Sequence, residues 1–141
     1  MTDTETASDV TLYVCATCRP EGHDDAQPRP GALLARALAE RAGSGVAVKA
    51  VQCLSACKRP CAVAFSGPGR FTYVVADADP DVHVDDLLRY ARAYGESRDG
   101  ITVWRERPEI VKRSVVARVP APGQVSSLVA DMPADDSTAR D

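Results

Sequence analysis

Five cysteines constrain this chain of 141 residues more than any other feature. They fall into two tight groups, Cys15-x2-Cys18 and Cys53-x3-Cys57-x3-Cys61, with 34 residues between the groups. Each group begins where a short β-branched run ends, Val10 to Val14 before the first and Val46 to Val51 before the second. The amino terminus has no basic stretch followed by an apolar one. The longest apolar runs, such as Tyr73 to Ala76, fall far short of the roughly 20 residues of a membrane span. A cytoplasmic protein is therefore expected, in a compartment that keeps thiols reduced. An odd number of thiols there argues against a disulfide framework and leaves metal binding or thiol chemistry.

The elements around the cysteines follow from periodicity. Val10 to Val14 reads as a first strand. Arg19 to Pro30, with three prolines and a glycine, reads as a long loop. Gly31 to Ala42 places Leu33, Leu34, Ala37 and Leu38 at helical spacing and is expected to end on Gly43 in a left-handed cap. Val46 to Val51 is the second strand and completes a βαβ unit. Ala62 to Phe65 and Phe71 to Ala76 flank Ser66-Gly67-Pro68-Gly69-Arg70, the pattern of an antiparallel hairpin. Val84 to Tyr94 returns to helical spacing before Gly95. The order β-α-β-β-β-α predicts an α/β fold, thioredoxin-like, with a mixed sheet of about four strands and flanking helices. Residues 10–119 form the expected domain, between an acidic tail at 1–9 and a Pro/Asp-rich tail at 120–141, both expected to be disordered. Arg113 to Arg118 reads either as a final strand or as part of a partner-binding tail.

Neighbouring parallel strands lie about 4.8 Å apart and end at the same edge of a sheet, so the loops that follow them can converge. Two such loops, each with at least two thiols, can build a four-thiolate cage. Soft sulfur ligands suit either tetrahedral Zn²⁺ or an iron–sulfur cluster. Zinc ribbons generally use two Cys-x2-Cys knuckles, so the Cys-x3-Cys spacing here favours a larger cofactor. Cys15-Ala16-Thr17-Cys18 also stands where a thioredoxin-like dithiol would. Against that reading, the loop from Arg19 to Pro30 is expected to hold the pair away from the helix N-terminus that would activate it. Cys61 is a fifth thiol, and Pro60 before it interrupts any continuous helix through Cys53, Cys57 and Cys61, so a looped cradle is expected.

The segment Cys53-Leu54-Ser55-Ala56-Cys57 resembles the C-L-G-x-C segment of thioredoxin-like [2Fe-2S] ferredoxins, and the resemblance extends over roughly 10–94. It implies Cys15, Cys18, Cys53 and Cys57 as cluster ligands and a one-electron carrier as the function. The first pair is spaced more tightly than in that family, and Cys61 is additional to it; it is a candidate replacement ligand or exchange thiol. The whole pattern resembles more closely a bacterial family of predicted metal-binding proteins, DUF1636. It is carried by V-C-A-T-C-R at 14–19, C-L-S-A-C-K-R-P-C at 53–61, the turn Pro68 to Tyr73, and Asp99-Gly100 ahead of W-R-E-R-P at 104–108. That resemblance implies a bound metal and, through some relatives, a link to cobalt or cobalamin genes. A zinc- or cobalt-binding or metal-delivery module is the alternative function, and a dithiol oxidoreductase is the third.

Each terminal tail carries −3, so the body is +3 within a chain of net −3. It has no Lys/Arg run interleaved with aromatic residues, which argues against a nucleic-acid partner. No Ser/His/Asp set, phosphate loop or paired-carboxylate motif stands out, which favours a carrier or binding protein over an enzyme. The expected partner is a redox or metal-handling protein, and pairing into a homodimer fits a ferredoxin-like domain. Arg19, Lys58 and Arg59 are expected to offset cluster charge or to dock an acidic partner. His23 and His83 are expected to be exposed, and Trp104 to cover the core.

Overall fold

The structure, a computed structural model, describes residues 10–19, 22–24, 26–54 and 59–130. Strand β1 (Val10–Cys15) leads through a long loop to helix α1 (Pro30–Arg41) and strand β2 (Val46–Val51). The hairpin β3 (Val63–Ser66) and β4 (Thr72–Val75) follows, then helix α2 (Val84–Glu96), a 3₁₀ turn at Trp104–Glu106, helix α3 (Glu109–Ser114) and strand β5 (Val115–Val119). The sheet has five strands in the order β2-β1-β3-β4-β5. β1 and β2 pair in parallel, from Val10 opposite Val46 to Cys15 opposite Val51. The other three pairings are antiparallel. The α/β fold and its βαβ unit are those the periodicity predicts; within the Arg113 to Arg118 stretch Arg113 and Ser114 end α3 and a strand starts at Val115, which makes five strands where about four are expected.

Alternation along the strands decides which side chains enter the core. Leu12, Phe65 and Tyr73 lie opposite one another across β1, β3 and β4 and are fully buried. Tyr90 and Tyr94, four apart on α2, meet them: Phe65 stands edge-on to Tyr90 with ring centroids 5.0 Å apart, and Tyr73 edge-on to Tyr94 at 6.2 Å. Both phenols find partners, Tyr90 with the Thr102 hydroxyl at 3.1 Å and Tyr94 by donating to the Phe71 carbonyl. Burial pushes the Tyr90 phenol up to about 12.

Two expectations about helix ends and one about tryptophan are corrected. α1 ends with Ala42 in extended conformation, and the left-handed glycine is Gly45, φ +87°, which turns the chain into β2. α2 runs through Gly95 to Glu96 because Arg70 donates to the carbonyls of Gly95 and Ser97 and satisfies that helix end. Trp104 is 59% exposed; the Arg107 guanidinium lies between its ring and that of Tyr73, and Tyr73 takes the core position. Beyond β5, Gln124 ties residues 120–130 back by donating to the Asp99 carbonyl, while 1–9 and 131–141 lie outside the described residues. Phe65→Ala should cost about 3–5 kcal/mol by opening a cavity under α2, measured as a lower urea midpoint.

Candidate metal centre

The parallel register brings the two cysteine loops together. Past the strand ends, the Ala16 N–H donates to the Val51 carbonyl at 2.8 Å, and the Thr17 hydroxyl donates to the carbonyl of Gln52. On the other side of β1, the Cys15 N–H donates to the carbonyl of Ala62 at 3.1 Å, which draws the segment after Cys61 against the first loop. Cys15, Cys18 and Cys61 are all buried in the core cluster, and none is in a disulfide. Cys53 is exposed and also free of a disulfide. Cys57 and Lys58 lie outside the described residues.

Helix α1 begins directly on this group. The Gly31 N–H donates to the Cys18 carbonyl at 3.1 Å, and a Cβ at Gly31 would lie 2.1 Å from the Cys15 carbonyl oxygen and 3.1 Å from the Cys18 Cβ. Only a glycine admits this approach. The expectation that the loop from Arg19 to Pro30 keeps the pair apart from the helix is therefore corrected: the loop is long, yet the first turn packs on the backbone of Cys15 and Cys18 and on the Cys18 Cβ. Arg29, just ahead of the helix, donates to the Thr17 carbonyl at 3.2 Å and closes the loop on itself.

The three buried thiols are unequal. Burial pushes the Cys15 thiol up, but hydrogen bonds from the Cys18 thiol, the Leu54 backbone and Thr17 outweigh it and hold Cys15 below the ordinary thiol value. The same partnership, added to burial, pushes Cys18 up to about 12. Burial, with repulsion from Cys15 and the Asp79 carboxylate, pushes Cys61 up to about 11. Backbone groups from both sides, Leu54 toward Cys15 and Ala62 toward Cys18, are placed to stabilise sulfur in its anionic form. Thiol sulfurs outside disulfides, with donors of this kind beside them, are the ligand type that a thiolate-bound metal or cluster uses, and Cys57, one of the expected ligands, lies outside the described residues. Among the described residues, no three His, Cys, Asp or Glu side chains stand in an arrangement that could hold a metal ion.

The other singled-out residues divide clearly. His23 is engaged with the Gln27 carbonyl at 3.2 Å. His83 does more than face solvent, since its Nδ1 accepts the Asp79 N–H at 2.8 Å ahead of α2. Arg59 makes two bonds to one oxygen of Asp77, at 3.0 and 2.8 Å, and is committed to that carboxylate. The sequence reading missed Asp79 and Gly31. A glycine just after Pro30, where a helix former would serve as well, was the available signal for the second.

A profile of DUF1636, described as a protein of unknown function, matches residues 12–121. The chain belongs to the DUF1636 family. No curated protein matches it. A solved structure described as a thioredoxin-like [2Fe-2S] ferredoxin from Aquifex aeolicus has the same fold, with a TM-score of 0.54 and 21% identity, over 84% of this DUF1636 chain and 100% of the other. No helix among the described residues is long and apolar enough to cross a membrane. In this family member, Gly31→Ala should dislodge the Cys15–Cys18 loop. The expected result is faster labelling of the buried thiols by a disulfide reagent and a lower melting temperature, while Gly43→Ala, with nothing within 4 Å of its Cβ position, leaves both unchanged.

Proposed function

We propose that this protein binds a [2Fe-2S] cluster between the loops that follow β1 and β2 and serves as a one-electron carrier. The observation that carries the reading is the burial together of Cys15, Cys18 and Cys61, without disulfides, against a backbone segment at Leu54 that belongs to the second cysteine loop. The fold shared with a protein described as a [2Fe-2S] ferredoxin supports the same reading. Cys15 and Cys18 would hold the group from one side and Cys53 and Cys57 from the other, with Cys61 as the adjoining exchange thiol. When bound, such a group supplies one-electron chemistry, and the chain supplies burial, thiolate ligands and N–H donors that set the potential.

Anaerobic purification followed by assay of iron, zinc and acid-labile sulfide tests this. About two irons and two sulfides per chain are expected, and one zinc without sulfide would replace the carrier with a tetrahedral zinc site. Cys53→Ser and Cys57→Ser should each abolish the visible spectrum, and His23→Ala should leave it intact.

A dithiol oxidoreductase is favoured by one specific observation, the contact of the α1 start with a Cys15–Cys18 pair whose two thiols are shifted in opposite directions. The lowered thiol carries more thiolate at neutral pH, so in metal-free protein iodoacetamide should label Cys15 ahead of Cys18 and Cys61. A metal-free chain that reduces no disulfide substrate removes this reading.

A further inference from the structure

The residue of the fifth thiol, Cys61, lines a cleft of 460 Å³ between the loop that precedes α1 and the turn 77–81. Cys61 is 3% exposed, so it is buried although it contributes to the cleft lining. Pro28, Pro30, Leu33, Pro60 and Pro80 give the cleft apolar surface, beside the polar side chains of His23 and Gln27. The rim is acidic. Asp77 is committed to Arg59, whereas Asp79 and Asp81 are exposed and, among the described residues, make no ion pair.

These carboxylates are held in place rather than trailing in solvent. The Asp79 N–H is fixed by His83 at 2.8 Å, and Asp79 Oδ1 accepts the Asp81 N–H at 2.8 Å. Asp79 is also near enough to Cys61 to repel its thiolate. The cleft thus presents negative charge at its mouth and apolar surface within. Its carboxylates and His23 form no group able to hold a bare metal ion among the described residues. The complementary occupant is a cation carried on a carbon stem.

We propose that this cleft docks a partner protein through a lysine or arginine side chain, its stem against the proline walls and its charge between Asp79 and Asp81. The proposal rests on the electron-carrier reading and names the partner's chemistry: a basic surface, opposite to the acidic partner that Arg19, Lys58 and Arg59 suggest from sequence. Docking there brings the partner onto Cys61, which adjoins the Cys15–Cys18 pair, and the acidic rim steers its approach.

The test uses the full chain as purified, with its bound group. The probe is a fluorescein-labelled peptide of two lysines in a glycine–serine background, followed by anisotropy at low salt. Asp79→Asn/Asp81→Asn is compared with Glu40→Gln/Glu96→Gln, which removes the same charge from exposed sites outside the cleft; asparagine keeps the side-chain oxygen that accepts the Asp81 N–H. Binding should weaken about tenfold in the first double variant and less than about twofold in the second. In parallel, the reduced protein should pass one electron to hexaamminecobalt(III), giving cobalt(II) and the oxidised protein, with the same order of rates. Equal weakening in both double variants, or none in either, overturns the docking site. Selective weakening of peptide binding in a chain that holds no iron and transfers no electron supports the docking site and overturns the carrier reading alone.

Discussion

The parallel pairing of β1 with β2 is the constraint on which the thiol group depends. Two antiparallel neighbours would place their carboxyl ends, and the loops that follow them, at opposite ends of the sheet. Parallel strands end side by side, and here the backbone bond from Ala16 to Val51 and the Thr17 contact with Gln52 continue the pairing beyond the last ladder residues. The connection required by parallel strands is α1, and its first turn supplies the lid over Cys15 and Cys18 through Gly31. One topological choice therefore places both loops, the helix start and the buried sulfurs at a single point.

The remainder of the molecule packs behind that edge. Phe65 on β3, the neighbour of β1, Tyr73 on β4, and Tyr90 and Tyr94 on α2 form a contiguous aromatic group between the sheet and that helix. The tyrosine hydroxyls carry polar bonds into this core without leaving an unsatisfied side-chain group among the described residues. Arg70 and the Asp99 turn then clamp the segment after α2. Asp99 is held below the usual carboxylate range by the N–H of Ile101, with the Ser97 hydroxyl assisting.

Much of this was legible from periodicity, because the βαβ unit, the hairpin and α2 each have strong local signals. Long-range placement was not. The stretch from Arg19 to Pro30 shows its length in sequence but not its return path, so the contact of Gly31 with Cys15 was invisible, and separation along the chain was mistaken for separation in space. Trp104 misled for a related reason: its size predicts burial, yet Tyr73 already occupies the core, and Arg107 stacks between the two rings. Within the candidate site, the convergence of the loops was readable from strand ends. The burial of Cys61 beside Cys15 and Cys18 was not, since it depends on the start of β3 pairing with β1.

The two flanks of the sheet differ in how regular a ladder they present. β5 joins β4 through an irregular register between Val74 and Val75, and Pro120 follows its last residue without an N–H to offer. Those features twist that edge and break the run of N–H groups along it. β2, at the opposite flank, runs without a bulge from Val46 to Val51. β2 is thus the more regular of the two sheet edges, and it is the strand whose end feeds the second cysteine loop.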